Sequence, residues 1–99
     1  MRILVTGANG YLGQGVVTAV LDRGNEVIAA CHSRIDVIDT RAEIKQCDLY
    51  ALENPYEYFG KPDALLHLAW RDGFIHYSNV HIDDLPKHYA FIRALAEAG

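Results

Sequence analysis

Cysteine is scarce: Cys31 and Cys47 are the only two in 99 residues, and they lack CxxC spacing. That excludes a disulfide framework and fits a reducing, cytoplasmic setting. Long apolar runs are also missing, and the chain opens directly into a strand pattern with no signal peptide ahead of it. Basic residues number 9 against 13 acidic ones, for a net charge of −4. Without a basic block, a nucleic-acid or anionic-membrane surface is disfavoured, although a local cationic site remains open. No repeat, low-complexity stretch or linker divides residues 1–99, which therefore read as one domain at most. Its length suits a modest core but is short for a complete doubly wound sheet with a substrate domain.

What the chain does have is concentrated at its start. Ile3, Leu4 and Val5 form a continuous apolar run, as in a parallel strand buried on both faces, and Thr6-Gly7 ends it. Leu12, Val16, Ala19 and Val20 then predict a helix with one apolar stripe, and Gly24 sits where a left-handed residue would end it. Between them lie Gly7, Gly10 and Gly13 at three-residue spacing. In such a turn the first glycine permits the tight bend. The second lets backbone approach a pyrophosphate, and the third lets the helix lie close to the strand. The helix N-terminus then favours an anion. An ordinary turn without a ligand is the competing reading, but three glycines are more than a turn needs.

Thr6-Gly7-Ala8-Asn9-Gly10-Tyr11-Leu12-Gly13 closely resembles the Thr-Gly-x-x-Gly-x-x-Gly motif of extended short-chain dehydrogenases/reductases, which include NAD(P)-dependent nucleotide-sugar epimerases and dehydratases. The resemblance implies an α/β fold, a Rossmann-like parallel sheet in the order 3-2-1-4 with flanking helices. It also implies a nicotinamide dinucleotide held around Gly7, Asn9, Gly10, Tyr11, Leu12 and Gly13, and a sugar nucleotide as substrate of the parent enzyme.

Further along, Glu26 to Cys31 reads as a second strand. Its end distinguishes the cofactors, because an acidic residue there binds the ribose hydroxyls of NAD whereas an Arg accommodates the 2′-phosphate of NADP. Here stand His32, Ser33 and Arg34 with no carboxylate, so NADP is preferred and NAD possible. A solvated surface cation is the other reading of Arg34. Residues 35–40 are too short for a crossover helix, and Ala42 to Cys47 reads as a half-polar third strand suited to an edge. By the resemblance, Asp48 and Leu49 lie beside the adenine, with a turn or cap role equally open to Asp48. Tyr56, Tyr58 and Phe59 suggest a short helix through Glu53 to Phe59 that packs on the sheet.

Ala64 to Ala69 reads as a fourth strand, and Asp63 to Trp70 is similar to the Asp-x-Val-x-His-Leu-Ala-Ala stretch of the same family. Cofactor contacts are thereby expected at Leu68, Ala69 and Trp70, although Trp70 stands where the family usually has a small residue. The loop from Arg71 to Phe74 either meets substrate or covers the core edge. Leu85, Tyr89, Ile92 and Leu95 predict a C-terminal amphipathic helix that starts near Asp83 and ends at Gly99. The spacing of His67, His76, His81 and His88 gives no metal-ligand pattern.

The resembled family transfers a proton with a Tyr-x-x-x-Lys pair and a Ser or Thr, while the cofactor carries the hydride. None of the six tyrosines has Lys four residues later. Two readings follow. One is the dinucleotide-binding part of an epimerase, dehydratase or reductase, truncated before its fifth strand and prone to self-association through the uncovered fourth. The other is a non-catalytic sensor or docking module.

Overall fold

Strand β2, Glu26–Cys31, shows how the sheet is buried. Val27, Ala29 and Cys31 belong to one core and Ile28 and Ala30 to another, and all five are buried. A strand covered on both faces has no polar face to alternate with, hence the unbroken apolar run. Strand β1, Arg2–Thr6, follows suit, with Val5 in the first core and Leu4 in the second. The computed structural model describes residues 1–69 and 80–98. Among these, β3 (Glu43–Gln46) and β4 (Ala64–His67) complete a parallel sheet in the order β3-β2-β1-β4, the arrangement expected from the resemblance. The register pairs Leu4 with both Ile28 and Leu65, and Ile28 with Glu43. β3 is an edge, as its polar half suggests. β4 ends two residues earlier than its apolar letters suggest, because the chain there turns to the Thr6 hydroxyl, which accepts from Leu68 N–H at 3.0 Å and Ala69 N–H at 3.3 Å.

Helix α1, Tyr11–Asp22, lies over the Val5 face, but rotated from the phase its hydrophobicity implies. Gly13 and Val17 are buried, with Val16, Val20 and Leu21 packed against the same core, whereas Leu12 is 60% exposed and Ala19 faces solvent. The cause is Gly13. A Cβ there would collide with the Gly7 carbonyl oxygen and lie 3.0 Å from Ala8 Cα, so the helix turns its bare residue inward and sets every other position from it.

The opposite face is covered by α2 (Pro55–Tyr58) and α3 (Val80–Ala98), which seal Leu4 and Ile28 beneath Phe59, Phe91 and Leu95. α2 is shorter than its aromatic letters suggest because Asn54 caps it, its side-chain oxygen accepting from Glu57 N–H, with Pro55 in the first turn. α3 differs from its expected stripe. Leu95 is buried, but Phe91 is its main anchor, while Tyr89 is 64% and Ile92 42% exposed. Phe91 stacks on the His67 ring at 5.3 Å, which fixes the helix's rotation. The helix also starts earlier than Asp83 and carries Pro86 within it. At the amino ends of the strands Arg2 acts as a clasp, pairing with Glu26 at 2.9 Å and Glu43 at 3.0 Å while its backbone N–H donates to Asp63.

Candidate functional site

At the carboxyl ends of the strands opens a cleft of about 570 Å³. Eight residues singled out from the sequence line it: Gly7, Asn9 and Gly10 after β1, His32 after β2, Asp48 and Leu49 after β3, and Leu68 and Ala69 after β4. The topology explains the convergence, since in a parallel sheet all four strands deliver their following residues to one end. Tyr11 and Leu12 start α1 with exposed side chains, and Gly13 is buried against the turn; none of the three lines the cleft. Ser33 and Arg34 lie just beyond His32, also outside its lining. Trp70, the Arg71 to Phe74 loop and Gly99 lie outside the described residues.

The glycine turn is held from several sides. Gly7 adopts φ +63, and the position of its absent Cβ is occupied by the β4 end, with Leu68 O at 2.6 Å and Ala69 N at 2.8 Å. Gly10 differs: its φ of −72 and ψ of 165 suit any residue, and a Cβ would meet only Gly7 O, at 3.3 Å. Asn9 Nδ2 donates to the Ser33 carbonyl at 2.6 Å, and Gln14 Nε2 donates to the Asn9 carbonyl at 3.0 Å. Gln46 Nε2 donates to the neighbouring His32 carbonyl at 3.1 Å. Two amide side chains from different elements therefore fix the loop in which Arg34 takes a left-handed conformation, φ 54 and ψ 51. No side chain caps α1, and its first turn has no carboxylate, leaving a positive helix end beside the cleft.

On the β3 side, Asp48 fulfils the capping reading and still lines the cleft: its Oδ1 accepts from Tyr50 N–H at 3.1 Å at the start of the Leu49–Ala51 3-10 turn. Tyr50 then spans to the opposite wall, its hydroxyl donating to the Ala69 carbonyl at 3.2 Å. Tyr50, Cys31, Cys47 and Lys87 are cleft residues that sequence reasoning did not select. The first three adjoin recognised strand ends, a signal that was available; Lys87 arrives only through the packing of α3. Burial raises the pKa of both thiols, so Cys31 and Cys47 stay protonated at neutral pH and present no thiolate nucleophile.

A parallel sheet with helices on both faces and a glycine turn opening a helix at the strands' carboxyl ends defines a Rossmann-like fold. The sequence pattern of the NAD dependent epimerase/dehydratase family matches residues 3–98, and the chain belongs to that family. It is 38% identical over 107 aligned positions to a dTDP-6-deoxy-L-talose 4-dehydrogenase (NAD(+)) of Aggregatibacter actinomycetemcomitans, which covers 100% of this chain and 38% of that relative. The UDP-N-acetylglucosamine 4-epimerase of Bacillus cereus superimposes with a TM-score of 0.66 at 30% identity, covering 96% of this chain and 31% of that one. A Thermus thermophilus UDP-glucose 4-epimerase in complex with NAD gives 0.74 at 21% identity, over 95% and 33%, and shows likeness of fold. The chain thus spans a little over a third of the curated relative's length.

Proposed function

We propose that the cleft binds a nicotinamide adenine dinucleotide for a protein that acts on a nucleotide sugar. The observation that carries this is Gly10. Its backbone angles do not require a glycine, and its one close protein neighbour, Gly7 O at 3.3 Å from a Cβ, would have to yield by only a few tenths of an ångström. Yet a glycine lines the cleft at the uncapped start of α1, where a pyrophosphate needs close approach. The adenine lies by Asp48 and Leu49, and the nicotinamide side by Leu68 and Ala69. The relatives named for dTDP- and UDP-sugars support the substrate class. Proton transfer is assigned outside these 99 residues, for want of any Tyr-x-x-x-Lys. NADP is the preferred form, supported by Arg34 and the lack of a carboxylate from Val27 to Ile35; the NAD-named relative makes NAD the rival outcome.

The experiment is a calorimetric titration of NAD and NADP into the protein and its Gly10→Val variant. Binding to the wild type, lost in a variant that still folds and melts cooperatively, if at a somewhat lower temperature, is the expected result. Failure of the wild type to bind either dinucleotide refutes the reading. A nicotinamide-turnover assay with a panel of sugar nucleotides is expected to show no activity from the 99 residues alone.

A further inference from the structure

We propose that His67 is a positioning residue of the cleft. As a neutral imidazole protonated at Nε2, it accepts a hydrogen bond at Nδ1 from the Thr6 hydroxyl and so commits the Thr6 oxygen to holding the Leu68-Ala69 backbone against the glycine turn. The assignment rests on counting protons around one buried oxygen. Thr6 is wholly buried, and its Oγ1 receives N–H donors from Leu68 at 3.0 Å, a proton shared with the Thr6 carbonyl at the longer distance of 3.3 Å, and from Ala69 at 3.3 Å. A hydroxyl has two lone pairs and one proton. With both lone pairs occupied, the contact between Oγ1 and His67 Nδ1 at 2.7 Å is satisfied only when the hydroxyl donates. A proton on Nδ1 would set three donors against two lone pairs and leave the hydroxyl's own proton unpartnered in the core, which is costly.

The segment held this way is the one that fills the space beside Gly7, with Leu68 O and Ala69 N where a Cβ would stand. A movement of either atom is therefore felt directly at the glycine turn. Phe91 of α3 stacks on the imidazole at 5.3 Å with the planes 30° apart, holding the ring in the plane that serves Thr6. The consequence for dinucleotide affinity rests on the binding reading above; the tautomer does not.

The test has two arms. In the unliganded wild type, two-bond ¹H–¹⁵N correlations of labelled histidine are expected to show Nδ1 unprotonated and Nε2 protonated at His67, and Thr6→Val to alter that pattern. A protonated Nδ1 in the wild type overturns the proposal without any variant having to fold. In the second arm, His67→Phe keeps an aromatic partner for Phe91 but offers no acceptor, whereas His67→Asn returns an oxygen near the Nδ1 position. Dinucleotide affinity is expected to fall about tenfold in His67→Phe and Thr6→Val, no further in the double variant, and to recover in His67→Asn and Thr6→Ser. Wild-type affinity in a folded His67→Phe overturns the positioning role while leaving the binding reading intact. A wild type that binds neither dinucleotide removes the binding reading and the functional role of His67 together.

Discussion

Gly13 and Gly15 lie two residues apart in α1, and the same substitution is expected to act on them with opposite sign. Nothing stands within 4 Å of a Cβ built on Gly15, so Gly15→Ala gains helix propensity at no steric cost. That gain is about 0.5–1 kcal/mol, or about 3–6 °C in a domain of this size. Gly13→Ala gains the same propensity but drives its methyl into the Gly7 carbonyl and to 3.0 Å from both Ala8 Cα and Gly7 C. These obstacles are backbone, which no rotamer change moves aside, so the helix start must lift off the turn. Overpacking costs about 1–3 kcal/mol where neighbours can yield, and at about 3 kcal/mol here the net loss is about 2 kcal/mol. Against a total stability of about 5–15 kcal/mol this is a large share. Urea melts followed by circular dichroism for the wild type and both variants give the comparison directly. A Gly13→Ala protein as stable as the wild type, or two substitutions shifting stability in the same direction, would refute the argument that the third glycine sets the helix's approach and rotation.

Arg34→Ala is expected to narrow any preference for NADP over NAD by about fivefold, an exposed charge-assisted contact of about 1 kcal/mol; equal affinities in the wild type would sink the NADP assignment. Asp39 is held down to about 2 by hydrogen bonds from the Arg41 guanidinium and backbone N–H. Its folded value lies below the unfolded one, so its stabilising contribution is present above about pH 4 and lost as pH falls toward 2; carboxyl NMR titration should show that Arg41→Ala raises it. β4 has only β1 as a strand partner among the described residues, and Leu66 on it is 39% exposed. Self-association is therefore expected in sedimentation across a concentration series and should weaken in Leu66→Lys with some loss of stability; a dilution-independent wild-type monomer would contradict this.

The two central strands were legible because burial on both faces leaves its mark in residue type alone, and β3 because its polar half marks an edge. β2 ends where its apolar run does and begins one residue ahead of it, at Glu26, and the parallel order then brings Gly7, His32, Asp48 and Leu68 to one end. Helix rotation was not legible, because hydrophobicity ranks side chains and cannot see where the absence of one decides the packing. The sequence marks Gly13 as the residue that lets the helix lie close to the strand, and it does, but Leu12 and Ala19 look like core, whereas the buried residues of the helix are Gly13 and Val17. α3 went the same way for a different reason. Leu85, Tyr89, Ile92 and Leu95 make a sound stripe by spacing, but Phe91 has a ring to stack on, and His67 stands at the end of a strand far away in the chain. That contact turns Tyr89 outward. Tyr89 thus lies outside the core and outside the cleft's lining, and the residue four places on is Arg93 rather than Lys. The same contact ties α3, whose Lys87 lines the cleft, to the Thr6-His67 pair beneath the glycine turn, so the part of the site hardest to read from the sequence is the part assembled by one aromatic stack.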